Sequence, residues 1–82
     1  MEQVRVGKQS GLVGRSIIDT GIRQRFGVIV VAIRRTDGTK EFNPPPESVV
    51  RSGDELMVLG RPESVKALEE TVEVQENGMT KA

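Results

Sequence analysis

Residues 16–35 read SIIDTGIRQRFGVIVVAIRR, and the way this stretch divides decides the fold. Ser16 precedes Ile17 and Ile18, and Asp19 follows three positions on. A hydroxyl followed at that spacing by an acid marks a helix start, with Asp19 as a capping acid. Gly21 suits the position just past a helix end, because glycine enters the left-handed conformation without steric penalty. Ile22 and Phe26 lie four apart, so a second short turn puts both on one face and sends Arg23 and Arg25 elsewhere. The run Val28-Ile29-Val30-Val31-Ala32-Ile33 is rich in β-branched residues and short for a helix. It predicts a central strand, apolar on both faces as far as Arg34-Arg35, a pair expected to be solvated.

Downstream, Thr36-Asp37-Gly38-Thr39 predicts a hairpin, with Asp-Gly supplying the positive φ angles of a two-residue turn. The partner strand is expected over residues 40–43, with Phe42 as its apolar contact. Pro44-Pro45-Pro46 has no backbone N–H to donate, so the chain leaves the sheet there. Val49 and Val50 are expected to pack beneath this loop. Ser52-Gly53-Asp54 reads as a turn whose carboxylate bonds local amides. Residues 55–59 form a further apolar strand. A final helix starts at Gly60-Arg61-Pro62-Glu63, with Val65, Leu68 and Val72 as its buried stripe.

Upstream, Val4 and Val6 alternate with Gln3 and Arg5, which predicts a first strand with one buried face. A loop follows, with Leu12 and Val13 tucked inward. The order is β-α-β-β-β-α. It predicts an α+β fold: a four-stranded, mainly antiparallel sheet with two helices on one face. Residues 1–73 are expected to form the domain and residues 74–82 a flexible C-terminal tail.

The chain has 82 residues, without Cys, His, Trp or Tyr. One small domain of this size buries only about 60% of its unfolded surface, so association is a natural source of added stability. Lack of Cys and His removes thiolate metal sites and the usual base near neutral pH. Asp19, Asp37 and Asp54 have no ligand spacing, and no carboxylates are convincingly paired, so neither a metal site nor an enzyme is expected. With Phe26 and Phe42 as the only aromatics, base-stacking nucleic-acid platforms are not expected. Charge is uneven. Residues 1–40 hold eight Lys/Arg and three acids, and residues 41–82 hold four and nine. Such a division suits head-to-tail contacts or an anion site in the first half. No apolar run approaches the roughly 18 residues of a membrane span, and the first ten residues have no apolar core of a signal peptide.

The ordered series Ser10-Gly11-Leu12-Val13-Gly14-Arg15-Ser16-Ile17, Ile22-Arg23, Phe26-Gly27-Val28, Val31-Ala32-Ile33-Arg34-Arg35, Phe42-Asn43-Pro44, Ser52-Gly53-Asp54 and Val58-Leu59-Gly60 resembles the RCK C-terminal, or TrkA-C, domain. The resemblance spans roughly residues 4–72. It implies a cytoplasmic regulatory and dimerisation domain of a prokaryotic potassium channel or potassium-uptake regulator, held at the inner face of the membrane by its channel or transporter. It also implies a homodimer and an N-terminal Rossmann-type neighbour. SGLVG lacks the GxGxxG spacing of such a domain, so this chain is expected to be an excised domain or a piece of a longer regulator. Cation–proton antiporters carry the same domain.

Some members of this family bind cyclic di-AMP at the dimer interface. The resemblance carries that role onto Ile17, Ile18, Ile22, Arg23, Phe26, Gly27, Val28 and Pro45, with Gln24 and Gly21 in the same segment. Apolar side chains can hold an adenine, and Arg23 can pair bidentately with phosphate. Those binders carry an acidic residue where Gly21 stands and an Asn where Gly27 stands. The plainer expectation for Ile17, Ile18, Ile22 and Phe26 is core and dimer packing, and for Arg23 a surface or inter-subunit ion pair. The rival reading is a purely structural dimerisation module without a small-molecule partner.

Overall fold

The structure, a computed structural model, describes residues 1–72. The expected tail lies outside the described residues. The elements are β1 (Glu2–Arg5), α1 (Ile17–Thr20), α2 (Ile22–Phe26), β2 (Ile29–Arg34), β3 (Lys40–Phe42), β4 (Glu55–Leu59) and α3 (Pro62–Val72). The strands form one sheet in the order β1-β4-β2-β3, and all three pairings are antiparallel. The α+β expectation holds, with the first helical segment split in two.

The split follows from local chemistry. Ser16 is extended and its hydroxyl accepts from the Asp19 amide at 3.2 Å, the capping bond that the spacing predicts. Gly21, at φ 68°, ends α1 by donating to the Ile18 carbonyl. The same residue starts α2, where its carbonyl accepts from the Arg25 amide at 2.7 Å. Ile22 is buried, Phe26 packs against the core, and Arg23 and Arg25 are exposed, as the four-residue spacing implies.

One row of cross-strand neighbours, Val4, Leu56 and Ile33, is fully buried and meets α2 and α3. Residues opposite one another in antiparallel strands share a face. Val30 also packs against this core, although it lies three positions from Ile33 and a regular strand would turn them to opposite faces. A register shift between Val30 and Ala32 makes Val31 the extra residue of a bulge, which returns both side chains to the helix side. α3 closes the core with Val65, Leu68 and Val72, the predicted stripe.

Five expectations are corrected. β2 is not covered on both faces: Ile29 is 51% exposed, because among the described residues no helix lies on its outer side. Phe42 is not an inward contact. It pairs with Ala32 on the outer face, is 70% exposed, and has the Lys40 amine 6.0 Å from its ring. The Asp-Gly hairpin is not a two-residue turn. Arg35 accepts from the Gly38 amide and donates to the Thr39 carbonyl, and only Gly38 has a positive φ there. Thr36–Gly38 is therefore a three-residue loop. The Asp37 carboxylate accepts from the amide and hydroxyl of Thr39, which favours this loop over the tighter turn. Finally, Arg35 is not solvated, as described below, and Val49 and Val50 part company, with Val50 buried and Val49 exposed.

Candidate functional site

β3 is short. Its pairing with β2 ends at Ala32 and Phe42, and one further backbone bond joins the Asn43 amide to the Val31 carbonyl at 2.8 Å. The prolines then carry the chain away from the sheet. The first residues of β2 consequently have β4 on one side and no strand on the other among the described residues. A groove of about 340 Å³ fills that place. Val28, Ile29 and Val30 form its floor. Ile17 and Ile18 of α1 and Ile22, Arg23 and Gln24 of α2 form one wall, and Asn43, Pro44 and Pro46 form the other.

The two walls are tied together by backbone. The Ile17 amide donates to the Ser48 carbonyl at 2.9 Å and the Ile18 amide to the Pro46 carbonyl at 3.0 Å. An isolated antiparallel bridge joins Ser16 to Val49. Most of the side chains lining the groove are apolar, and Arg23, Gln24 and Asn43 add a cationic group and two amides. Ile18 in its wall is 63% exposed, and Ile29 in its floor 51%. Arg23 is exposed and has no ion pair among the described residues. Flat aromatic groups suit such walls, and a phosphate suits an exposed guanidinium.

Of the residues named from the sequence, Ile17, Ile18, Ile22, Arg23, Gln24 and Val28 meet in this groove. Gly21, Phe26, Gly27 and Pro45 do not line it. Phe26 lies against the core with the Arg25 guanidinium 5.0 Å from its ring. Gly27 ends α2 at φ 72°, and Pro45 is exposed between the two lining prolines. Sequence reasoning missed Ile29, Val30, Asn43, Pro44 and Pro46 as lining residues. The proline run pointed at the last two, but which prolines face inward is set by the loop. Among the described residues, no group of three or more His, Cys, Asp or Glu could hold a metal ion, and no helix is long and apolar enough to cross a membrane.

A second polar cluster lies away from the groove. Arg35 Nη1 donates to Asp54 Oδ2 at 2.6 Å and to the Val49 carbonyl at 2.9 Å. Its Nη2 donates to Glu41 Oε1 at 3.0 Å, and the other Glu41 oxygen accepts from the Ser48 hydroxyl. Asp54 Oδ2 also accepts from the Arg51 amide at 2.8 Å, the local bond expected of this turn.

Comparison with known proteins agrees with this fold. "Probable potassium channel protein 2" of Methanocaldococcus jannaschii is 38% identical over 69 residues, covering 82% of this chain and 19% of that protein. The chain thus spans about a fifth of the length of that curated relative. The RCK C domain of the potassium transport protein KtrA, solved in complex with cyclic di-AMP, has a TM-score of 0.74 at 27% identity and covers 87% of this chain and 82% of the other. The RCK_C domain dimer of Streptococcus agalactiae BusR, also solved with cyclic di-AMP, shares the fold with a TM-score of 0.79 at 24% identity, covering 85% of each chain. The TrkA-C domain profile matches residues 1–73, and the chain belongs to that family.

Proposed function

We propose that this domain is a cytosolic regulatory module of a potassium channel or transporter, and that two copies pair to hold one cyclic di-AMP between their grooves. The observation that carries the reading is the groove itself. It combines Ile17, Ile18, Ile22 and Val28 with an exposed Arg23, which has no ion pair among the described residues, in a volume at the small end of the range for ligand sites, about 300–1,000 Å³. A cavity of that size suits one half of a cyclic dinucleotide, and a two-fold ligand would complete itself on a second copy. Adenine would lie against the isoleucines and prolines, and Arg23 would meet a phosphate oxygen. The half-exposed Ile18 and Ile29 would be covered on pairing. No catalytic role is assigned to any residue.

A second reading is pairing without a ligand, favoured by glycine at positions 21 and 27, where the side chains of known binders are absent. The protein attached to this domain is also part of the proposal. BusR, which shares the fold, has been solved with its promoter DNA, so a membrane protein is not the sole type of effector to consider. Calorimetric titration with cyclic di-AMP tests the ligand. The expected result is saturable binding at one ligand per two chains, weakened at least about tenfold by Arg23→Ala, or about 1.4 kcal/mol. Absence of heat, together with a dimer by sedimentation, would leave pairing alone. A strict monomer at roughly 100 μM would count against both readings.

A further inference from the structure

We infer that Arg35 and Glu41, which do not line the groove, are positioning residues that hold its proline wall from behind. The inference deepens the ligand reading above, and its ligand arm rests on that reading.

The wall is a strap, residues 44–50, with no regular structure beyond the bridge at Val49. Pro44, Pro45 and Pro46 have no N–H to donate, so this part of the strap can be held only through its carbonyls or through the residues that follow. On the groove side those carbonyls are used: Pro46 and Ser48 accept from Ile18 and Ile17, and the Val50 carbonyl accepts from Gly14. On the far side the anchors are ionic. Arg35 takes the Val49 carbonyl and Glu41 takes the Ser48 hydroxyl, while Arg35 joins Glu41 and the buried Asp54.

Consecutive strap residues, Ser48 and Val49, are therefore gripped from both sides at once. Arg35 follows the last residue of β2, and the first residues of β2 are the groove floor. Floor and clamp thus belong to one strand, and the Arg35 fork fixes how the Ser48-Val49 end of the strap stands against the end of that strand. The planar guanidinium is suited to this, since it satisfies a carbonyl and two carboxylates in fixed directions.

Amide hydrogen exchange on the whole chain, followed by NMR, tests the clamp without any ligand. Arg35→Gln is expected to speed exchange at Ile17 and Ile18 by at least about tenfold, with the β4 amides changed far less. Arg34→Gln is the control: Arg34 pairs with Glu55 on the outer face and is expected to leave Ile17 and Ile18 unchanged. If Arg35→Gln does not fold, Glu41→Gln is read in the same way, since it removes the charge but keeps an acceptor for Ser48. Unchanged Ile17 and Ile18, or a uniform rise at every amide, would overturn the positioning role. In the ligand arm, cyclic di-AMP binds the wild type and Glu41→Gln weakens it several-fold. Equal affinities would again overturn the clamp. A wild type that does not bind removes the ligand reading and leaves the exchange measurement to decide the clamp.

Discussion

Arg35 Nη1 stands 2.6 Å from Asp54 Oδ2, and Asp54 is 1% exposed. The pair joins the end of β2 to the turn before β4, and its carboxylate also accepts from the Arg51 amide. Removing one partner of a buried pair strands the other. Asp54→Ala is therefore expected to lower stability by about 3 kcal/mol, seen as a shift in the urea midpoint without a change of slope. A loss under about 1 kcal/mol would show the pair to be screened as a surface bridge is.

Core and outer face differ in kind. Leu68 is fully buried on α3, whereas Leu59 at the end of β4 is 48% exposed. Leu68→Ala should cost about 2–5 kcal/mol through lost burial and a cavity. Leu59→Ala should change monomer stability by less than about 1 kcal/mol. Denaturant unfolding at low protein concentration compares the two.

Gly60 marks the closest approach of the β4–α3 junction to the groove floor. A Cβ there would stand 2.6 Å from Val28 Cγ1. Gly60→Ala is expected to destabilise by about 1–3 kcal/mol, the usual effect of overpacking. Because Val28 lines the groove, the same change should displace the Val28 methyl resonances and weaken any ligand there.

Gly27 has φ 72°, and nothing lies within 4 Å of a Cβ built on it. Asparagine tolerates that backbone better than other residues with a side chain. Gly27→Asn should therefore fold, with a stability change of about 1 kcal/mol or less. It supplies the side chain that the family resemblance places there in binders of cyclic di-AMP, and under the proposed function titration should show tighter binding than wild type. Weaker binding would separate this site from theirs.

Asp37 should titrate below the ordinary value of 3.8, first because its carboxylate accepts from the Thr39 amide and then from the Thr39 hydroxyl. A pKa lowered by folding stabilises the native state above the unfolded value, and that contribution fades as pH falls through the folded value. The hairpin should hold at neutral pH and loosen only in acid, below pH 3.8. Carboxyl NMR titration reads this, and Thr39→Val should move the Asp37 midpoint back upward.

The elements were largely legible in the chain. Helix starts and stops at Ser16 and Gly21, the β4 strand over 55–59 and the α3 stripe rest on local spacing, and local spacing survives into the structure. What could not be read were relations between distant residues. Arg35 and Asp54 lie 19 positions apart, and nothing in either neighbourhood names the other. The bulge at Val31 was equally hidden, since an apolar run pays no penalty for either register. Phe42 was misplaced for a related reason: a three-residue strand does not reveal which of its faces meets helices.

The sequence by itself determined the order of elements, the break at Gly21, the residues of the core helices and the likeness to the TrkA-C family. Each depends on backbone preference or on periodicity within a few residues. Tertiary structure alone decided that Pro44 and Pro46 rather than Pro45 face the groove, that Ile29 and Val30 complete its floor, and that Arg35 is bound rather than solvated. Those outcomes depend on where β3 stops along β2, and so on packing across the sheet.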